Sequence, residues 1–182
     1  MVIDNDLLLQ TAELLQARNA IDVSLARIIG RPVSAGHLGE WIASQVFDIQ
    51  LEPSASAKGI DGRFRSGPLQ GRTVNVKWYM KHQGLLDTTD HQALDYYLVL
   101  TGPAVSAGSS RGTVAPWCVE TVYLFDAQRL RTEQETRGVR LGIASSVTKA
   151  QWLKALIYPR GASTLLPVTP DQAAALQLFR LP

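Results

Sequence analysis

At 182 residues, with 46% hydrophobic and 19% charged side chains, the chain has the profile of one folded domain that buries roughly 70% of its unfolded surface. That composition excludes a disordered polypeptide, and a net charge of +2 with a pI near 8.8 tolerates a polyanionic partner without requiring one. The single cysteine, Cys118, excludes an internal disulfide and a cysteine zinc cage, and fits a reducing cytoplasm.

The N-terminus, MVIDNDLLLQTAELLQARN, carries acidic residues before its short apolar run, unlike the basic start of a secretory leader. No stretch approaches the ~18 continuous apolar residues of a membrane span, so a cytoplasmic chain with no membrane partner is expected. A helix is predicted from about Asn5 to Ile29. Leu8, Leu15, Ile21, Leu25, Ile28 and Ile29 lie near one of its faces, Asn19 is a candidate interruption, and Gly30 with Pro32 supplies the stop. Ser34 is a natural N-cap for a second helix through GHLGEWIASQVF. Leu38, Trp41, Ile42 and Val46 form its inward stripe, and Glu40 falls outside that stripe, looking along a packed surface.

Short extended segments follow. Ile49 to Leu51 reads as a strand or a frayed helix end, and Ile60 to Arg65 alternates. In Thr73 to Tyr79, Val74, Val76 and Trp78 face one way while Thr73, Asn75, Lys77 and Tyr79 face the other. The turn SGPLQG joins the two runs into an antiparallel hairpin. A polar connection leads to the strand DYYLVLTG. The segment GPAVSAGSSRGTVAP reads as a surface loop, with neither a phosphate-binding Gly-Lys-Ser/Thr ending nor a nucleophile elbow. CVETVYLF is another strand, Asp126 caps a helix, VRLGIAS is a further strand candidate, and KAQWLKALIY reads as an amphipathic helix. Thr169 to Gln172 has capping-box spacing, with Pro170 at the first helical position. The expected fold is α/β: a central mixed sheet flanked by helices, with an extra N-terminal helix (5–29) and a C-terminal helical extension (127–182) around a core at 34–126.

Phosphodiester hydrolysis needs a divalent cation to neutralise phosphate oxygen and help generate hydroxide. Magnesium suits one or two carboxylates plus substrate oxygens, and a lysine beside it stabilises developing charge. Asp61 on one strand, Lys77 on the next and Glu40 on the packed helix supply those groups. Each also has an ordinary reading: Asp61 as a turn residue, Lys77 as a solvated edge lysine, Glu40 as a helix-surface acid. His37, His82 and His91 show no zinc-ligand spacing, and Asp87, Asp90 and Asp95 miss the EF-hand pattern.

In GHLGEWIA, KGIDG and NVK, taken in that order, the sequence resembles the PD-(D/E)XK nuclease superfamily of restriction-endonuclease-like fold. The resemblance spans roughly residues 34–102. It implies a site for Mg²⁺ or Mn²⁺ with Asp61 as metal ligand, the Val76 carbonyl as a further ligand, Lys77 as the catalytic lysine and Glu40 as an auxiliary acid. Asn75 stands where an Asp or Glu is usual; it offers an uncharged amide oxygen to the metal. Arg63, Arg65, Lys81 and His82 are candidate phosphate contacts and Tyr79 a candidate stacking residue. The expected partner is nucleic acid, DNA before RNA, and a homodimer is also open. The alternatives are a non-catalytic nucleic-acid-binding module on the same fold, and a structural protein docking through its terminal helices.

Overall fold

The computed structural model describes residues 5–53, 59–82, 84–103, 116–161 and 163–181. Its first helix, α1 (Asn5–Ile29), is unbroken at Asn19 and ends on Gly30, whose φ of +69° suits a residue without a Cβ. The second, α2 (Ala35–Phe47), starts at Ser34, whose hydroxyl accepts from the His37 amide at 3.1 Å. Three strands follow: β1 (Ile49–Leu51), β2 (Gly62–Phe64) and β3 (Thr73–Tyr79). Next come β4 (Leu85–Leu86), β5 (Tyr96–Thr101), β6 (Thr121–Asp126) and α3 (Ala127–Thr136), which Asp126 caps through the Arg129 amide. The remainder holds β7 (Ser145–Ser146), α4 (Lys149–Ala155), β8 (Leu156–Tyr158) and α5 (Pro170–Gln177). The predicted Thr169–Gln172 capping box is present at the start of α5.

The architecture is α/β, with a six-stranded mixed sheet in the order β1-β2-β3-β5-β6-β8 and helices against it. Only the β3–β5 pairing within this sheet is parallel. Asp95 anchors the start of that pairing, its carboxylate accepting from the Thr73 amide at 2.8 Å and the Thr73 hydroxyl at 2.9 Å. A small β4–β7 ribbon lies apart. As the alternation of β3 demands, Val74, Val76 and Trp78 enter one apolar core with Leu38, Ile42 and Phe47 of α2 and Leu176 of α5. Tyr97, Val99, Tyr123 and Phe125 build a second core with Leu130 of α3 and Trp152 of α4 on the opposite face. Among the described residues no helix is long and apolar enough to cross a membrane.

Two expectations need correcting. The helix predicted over KAQWLKALIY stops at Ala155, and Leu156–Tyr158 instead pairs with β6 as the last strand. Ile157 and Tyr158 are buried there, and pairing removes an open edge that β6 would otherwise expose. The sheet is therefore completed by a strand from the segment expected to be helical throughout. VRLGIAS supplies only its last residue, Ser145, to a strand, the two-residue β7 that Ser146 completes. Most of the glycine- and serine-rich segment, residues 104–115, lies outside the described residues, as does Lys58.

The close seating of α2 on β3 depends on Gly39, because a Cβ at this position would lie 2.8 Å from the Trp78 Cβ. Gly39→Val is expected to destabilise the fold by about 1–3 kcal/mol, the range of an overpacked core. Thermal unfolding followed by circular dichroism checks this. A melting temperature unchanged from wild type would mean that α2 does not need this approach.

Candidate functional site

Asp61 immediately precedes β2, and its backbone is still held in the sheet. Its amide donates to the Val74 carbonyl at 2.9 Å, and its own carbonyl accepts from the Glu52 amide at 2.9 Å. Beyond this point the β3 amide on the same side, that of Val76, donates to Asp61 Oδ2 at 2.7 Å. A side chain has replaced the backbone acceptor where β2 begins, which leaves a carboxylate wedged at the margin between the two strands. The Val76 carbonyl points the same way as its amide, as in any extended residue.

Burial is the largest influence on Asp61 and pushes its carboxyl above the usual range. The hydrogen bond from Val76 and the charges of Lys77 and Arg31 oppose it. Glu40 is raised as well, first by burial and then by the negative charge of Asp61; Arg31 and His37 pull it down. The two acids are thus electrostatic neighbours although one comes from a helix and the other from a strand end. Arg31 Nη1 donates to Glu40 Oε2 at 2.6 Å and fixes that carboxylate's orientation.

Asn75 and Lys77 lie on the β3 side facing away from α2, as the two-residue period predicts. Asn75 is only 4% exposed, and its Oδ1 is buried with no hydrogen-bond donor. An amide oxygen hidden without a partner is costly, and invites a water or a cation. Lys77 is half-buried and, among the described residues, makes no hydrogen bond or ion pair. Glu40 and Lys77 therefore belong to opposite faces of the sheet. Asp61, at the strand margin, is the residue within electrostatic range of both.

The donors fit magnesium chemically: two carboxylates, an unpartnered amide oxygen and a backbone carbonyl are all hard oxygen ligands. No cluster of three or more His, Cys, Asp or Glu side chains suited to a metal occurs among the described residues. Any cation here would depend on two acids, neutral oxygens and retained water.

The peripheral residues are distributed unevenly. Arg65 Nε donates to Asp48 at 2.7 Å, and Arg63 pairs with Glu52 at 3.8 Å; both arginines face solvent. Lys81 is exposed just past the end of β3. The Tyr79 hydroxyl accepts from the Asp87 amide at 2.9 Å, and burial pushes its ionisation upward. The His82 ring stacks on Tyr123 at 5.6 Å and meets Trp152 edge-on at 4.5 Å, and burial lowers its pKa. These contacts hold Tyr79 and His82 within the packing around the second core. Arg31 was not singled out by any sequence pattern. It lies in the GRP connection between helices, and only folding shows that it turns back onto Glu40.

No family model matches the chain, and no curated protein matches it.

Proposed function

We propose that the protein is a metal-dependent nuclease that hydrolyses phosphodiester bonds of nucleic acid, with DNA as the expected substrate, on a restriction-endonuclease-like fold in the cytoplasm. The observation that carries this reading is the neighbourhood of Asp61. A half-buried carboxylate stands close enough to Glu40 to raise it and close enough to Lys77 to feel its charge, and the neighbouring strand carries the unpartnered oxygen of Asn75. Asp61, Asn75 Oδ1 and the Val76 carbonyl would hold Mg²⁺ or Mn²⁺, with Glu40 as an auxiliary acid reaching it from the helix side through a retained water; when bound, the ion supplies charge neutralisation at phosphate oxygens and a more acidic water. Asp61 presents its charge from a position fixed by the Val76 amide. Glu40 is oriented by Arg31. Lys77, free of any ion-pair partner among the described residues, can turn its ammonium toward an anionic phosphate and the attacking water. Lys81, Arg63 and Arg65 offer cationic groups at the surface for backbone phosphates.

The assay is nicking of supercoiled plasmid by the purified chain with Mg²⁺ or Mn²⁺, against the same reaction in excess chelator. Chelator-sensitive nicking supports the reading.

Two observations favour a second reading. Asn75 brings no negative charge, and Glu40 is already engaged by Arg31. A protein with that arrangement would hold nucleic acid without cleaving it. Its binding would weaken steeply with salt while the bound strand stays intact, which a gel-shift series across salt concentrations measures.

A further inference from the structure

Every described side chain of α1 from Asp6 to Ile21 is exposed. Leu8, Leu14, Leu15, Ile21 and Ile28 are between 53% and 65% exposed, an unusual condition for five large aliphatic residues on one element. Among the described residues, the contact of the helix with the body is at its C-terminal end, where Ile29 packs against the first core. A lone helix in water gains little beyond its own backbone bonds, and most helical stability comes from covering an apolar face. The described chain provides no such cover.

The spacing indicates what does. Leu14, Ile21 and Ile28 recur at seven-residue intervals, and Leu8 and Leu15 repeat alongside them at the same interval. A seven-residue repeat keeps one stripe facing a partner helix in a left-handed pair. The charges say how that partner runs. Asp6 and Glu13 are the charged residues of the first half of α1, while Arg18 and Arg27 lie in the second half, where Asp22 is already engaged by Arg18 at 3.7 Å. An antiparallel copy sets the acidic end of one helix beside the basic end of the other and opposes the two helix dipoles; a parallel copy sets like against like. A lipid surface fits poorly, because helices that lie on membranes carry a polar face rich in Lys and Arg, and α1 has three acids to two arginines.

We propose that α1 is a self-association element, pairing antiparallel with α1 of a second copy about a two-fold axis. This stands independently of whether the site near Asp61 cleaves nucleic acid. Sedimentation velocity of the full chain at micromolar concentration is expected to give the dimer mass. The double variant Leu14→Glu, Ile21→Glu is expected to sediment as a monomer, its dimer dissociation constant raised about 30-fold or more, as for loss of an interface hot spot. Both positions face water in the single chain, so the near-ultraviolet circular dichroism of the folded body should be retained. For orientation, a nitroxide on Gln10→Cys reports the distance between copies by electron paramagnetic resonance; Cys118 is buried and stays unlabelled. Antiparallel pairing about the helix middle separates the labels by about 20 Å along the axis, at roughly 1.5 Å per residue. A monomeric wild type, a dimer that survives the glutamates, or labels within about 10 Å of each other, the spacing of side-by-side helices, would each overturn the proposal. A monomeric wild type that sediments with anionic vesicles would assign the face to a lipid surface instead.

Discussion

Asp61→Asn and Lys77→Met are each expected to lower Mg²⁺-dependent plasmid nicking by at least about 100-fold, the effect of removing one preorganised charge-stabilising group. The choice of replacement matters. Asp61 Oδ2 accepts from the Val76 amide at 2.7 Å, and an asparagine oxygen can accept the same bond. The variant therefore loses charge while keeping the strand margin satisfied. Asp61→Ala would instead leave a partly buried amide without an acceptor, at about 1–3 kcal/mol, and would confuse instability with chemistry. Lys77 has no hydrogen bond or ion pair to lose among the described residues, and methionine retains most of its apolar stem. Melting temperatures close to wild type should accompany both losses. Nicking at the wild-type rate in either variant would remove Asp61 or Lys77 from the mechanism and the proposed chemistry with it.

Much of the fold was legible because the signals were local. The alternation in Thr73 to Tyr79 places Val74, Val76 and Trp78 in one core whichever strand pairs beside them. Ser34, Asp126 and Thr169 are small polar residues just ahead of periodic segments, and each caps the expected helix. Legibility failed where tertiary context decides. Leu156 to Tyr158 continues the helical pattern of α4, yet pairing with β6 offers those residues both hydrogen bonds and burial. An apolar periodicity on α1 is visible in the sequence, but nothing local indicates that the described residues leave so much of it exposed. The candidate site divides in the same way. Strand alternation placed Asn75 and Lys77 on one face. The Asp61 bond to the Val76 amide, the bond from Arg31 to Glu40 and the engagement of Tyr79 with Asp87 depend on how separate elements meet. Pattern alone also does not reveal that Glu40 approaches Asp61 from the helix side while Lys77 lies on the other face.

Asn75→Asp is expected to move stability in opposite directions with and without metal. Asn75 is 4% exposed, with its Oδ1 unpartnered, on the strand that supplies the Val76 amide to Asp61. Without a cation, a third carboxylate would be nearly dry, on the strand whose Val76 amide already holds the raised carboxyl of Asp61. The apoprotein should lose about 1–3 kcal/mol, visible as a lower melting temperature in chelator. With Mg²⁺ present, the same charge becomes a hard anionic ligand, and metal affinity should rise tenfold or more, since ligand charge tunes such sites over decades. Binding to the native state then restores stability by mass action, so melting should climb with Mg²⁺ more steeply than in wild type. Scanning fluorimetry over a magnesium titration reads both effects. A fall in chelator with no recovery in magnesium would mean that the acids share a neighbourhood but do not hold a cation. An absence of any fall would place Asn75 away from them, and both metal readings would go. Recovery of stability together with faster nicking would identify the wild-type asparagine as a brake on a working nuclease. Recovery without any turnover would favour the binding module.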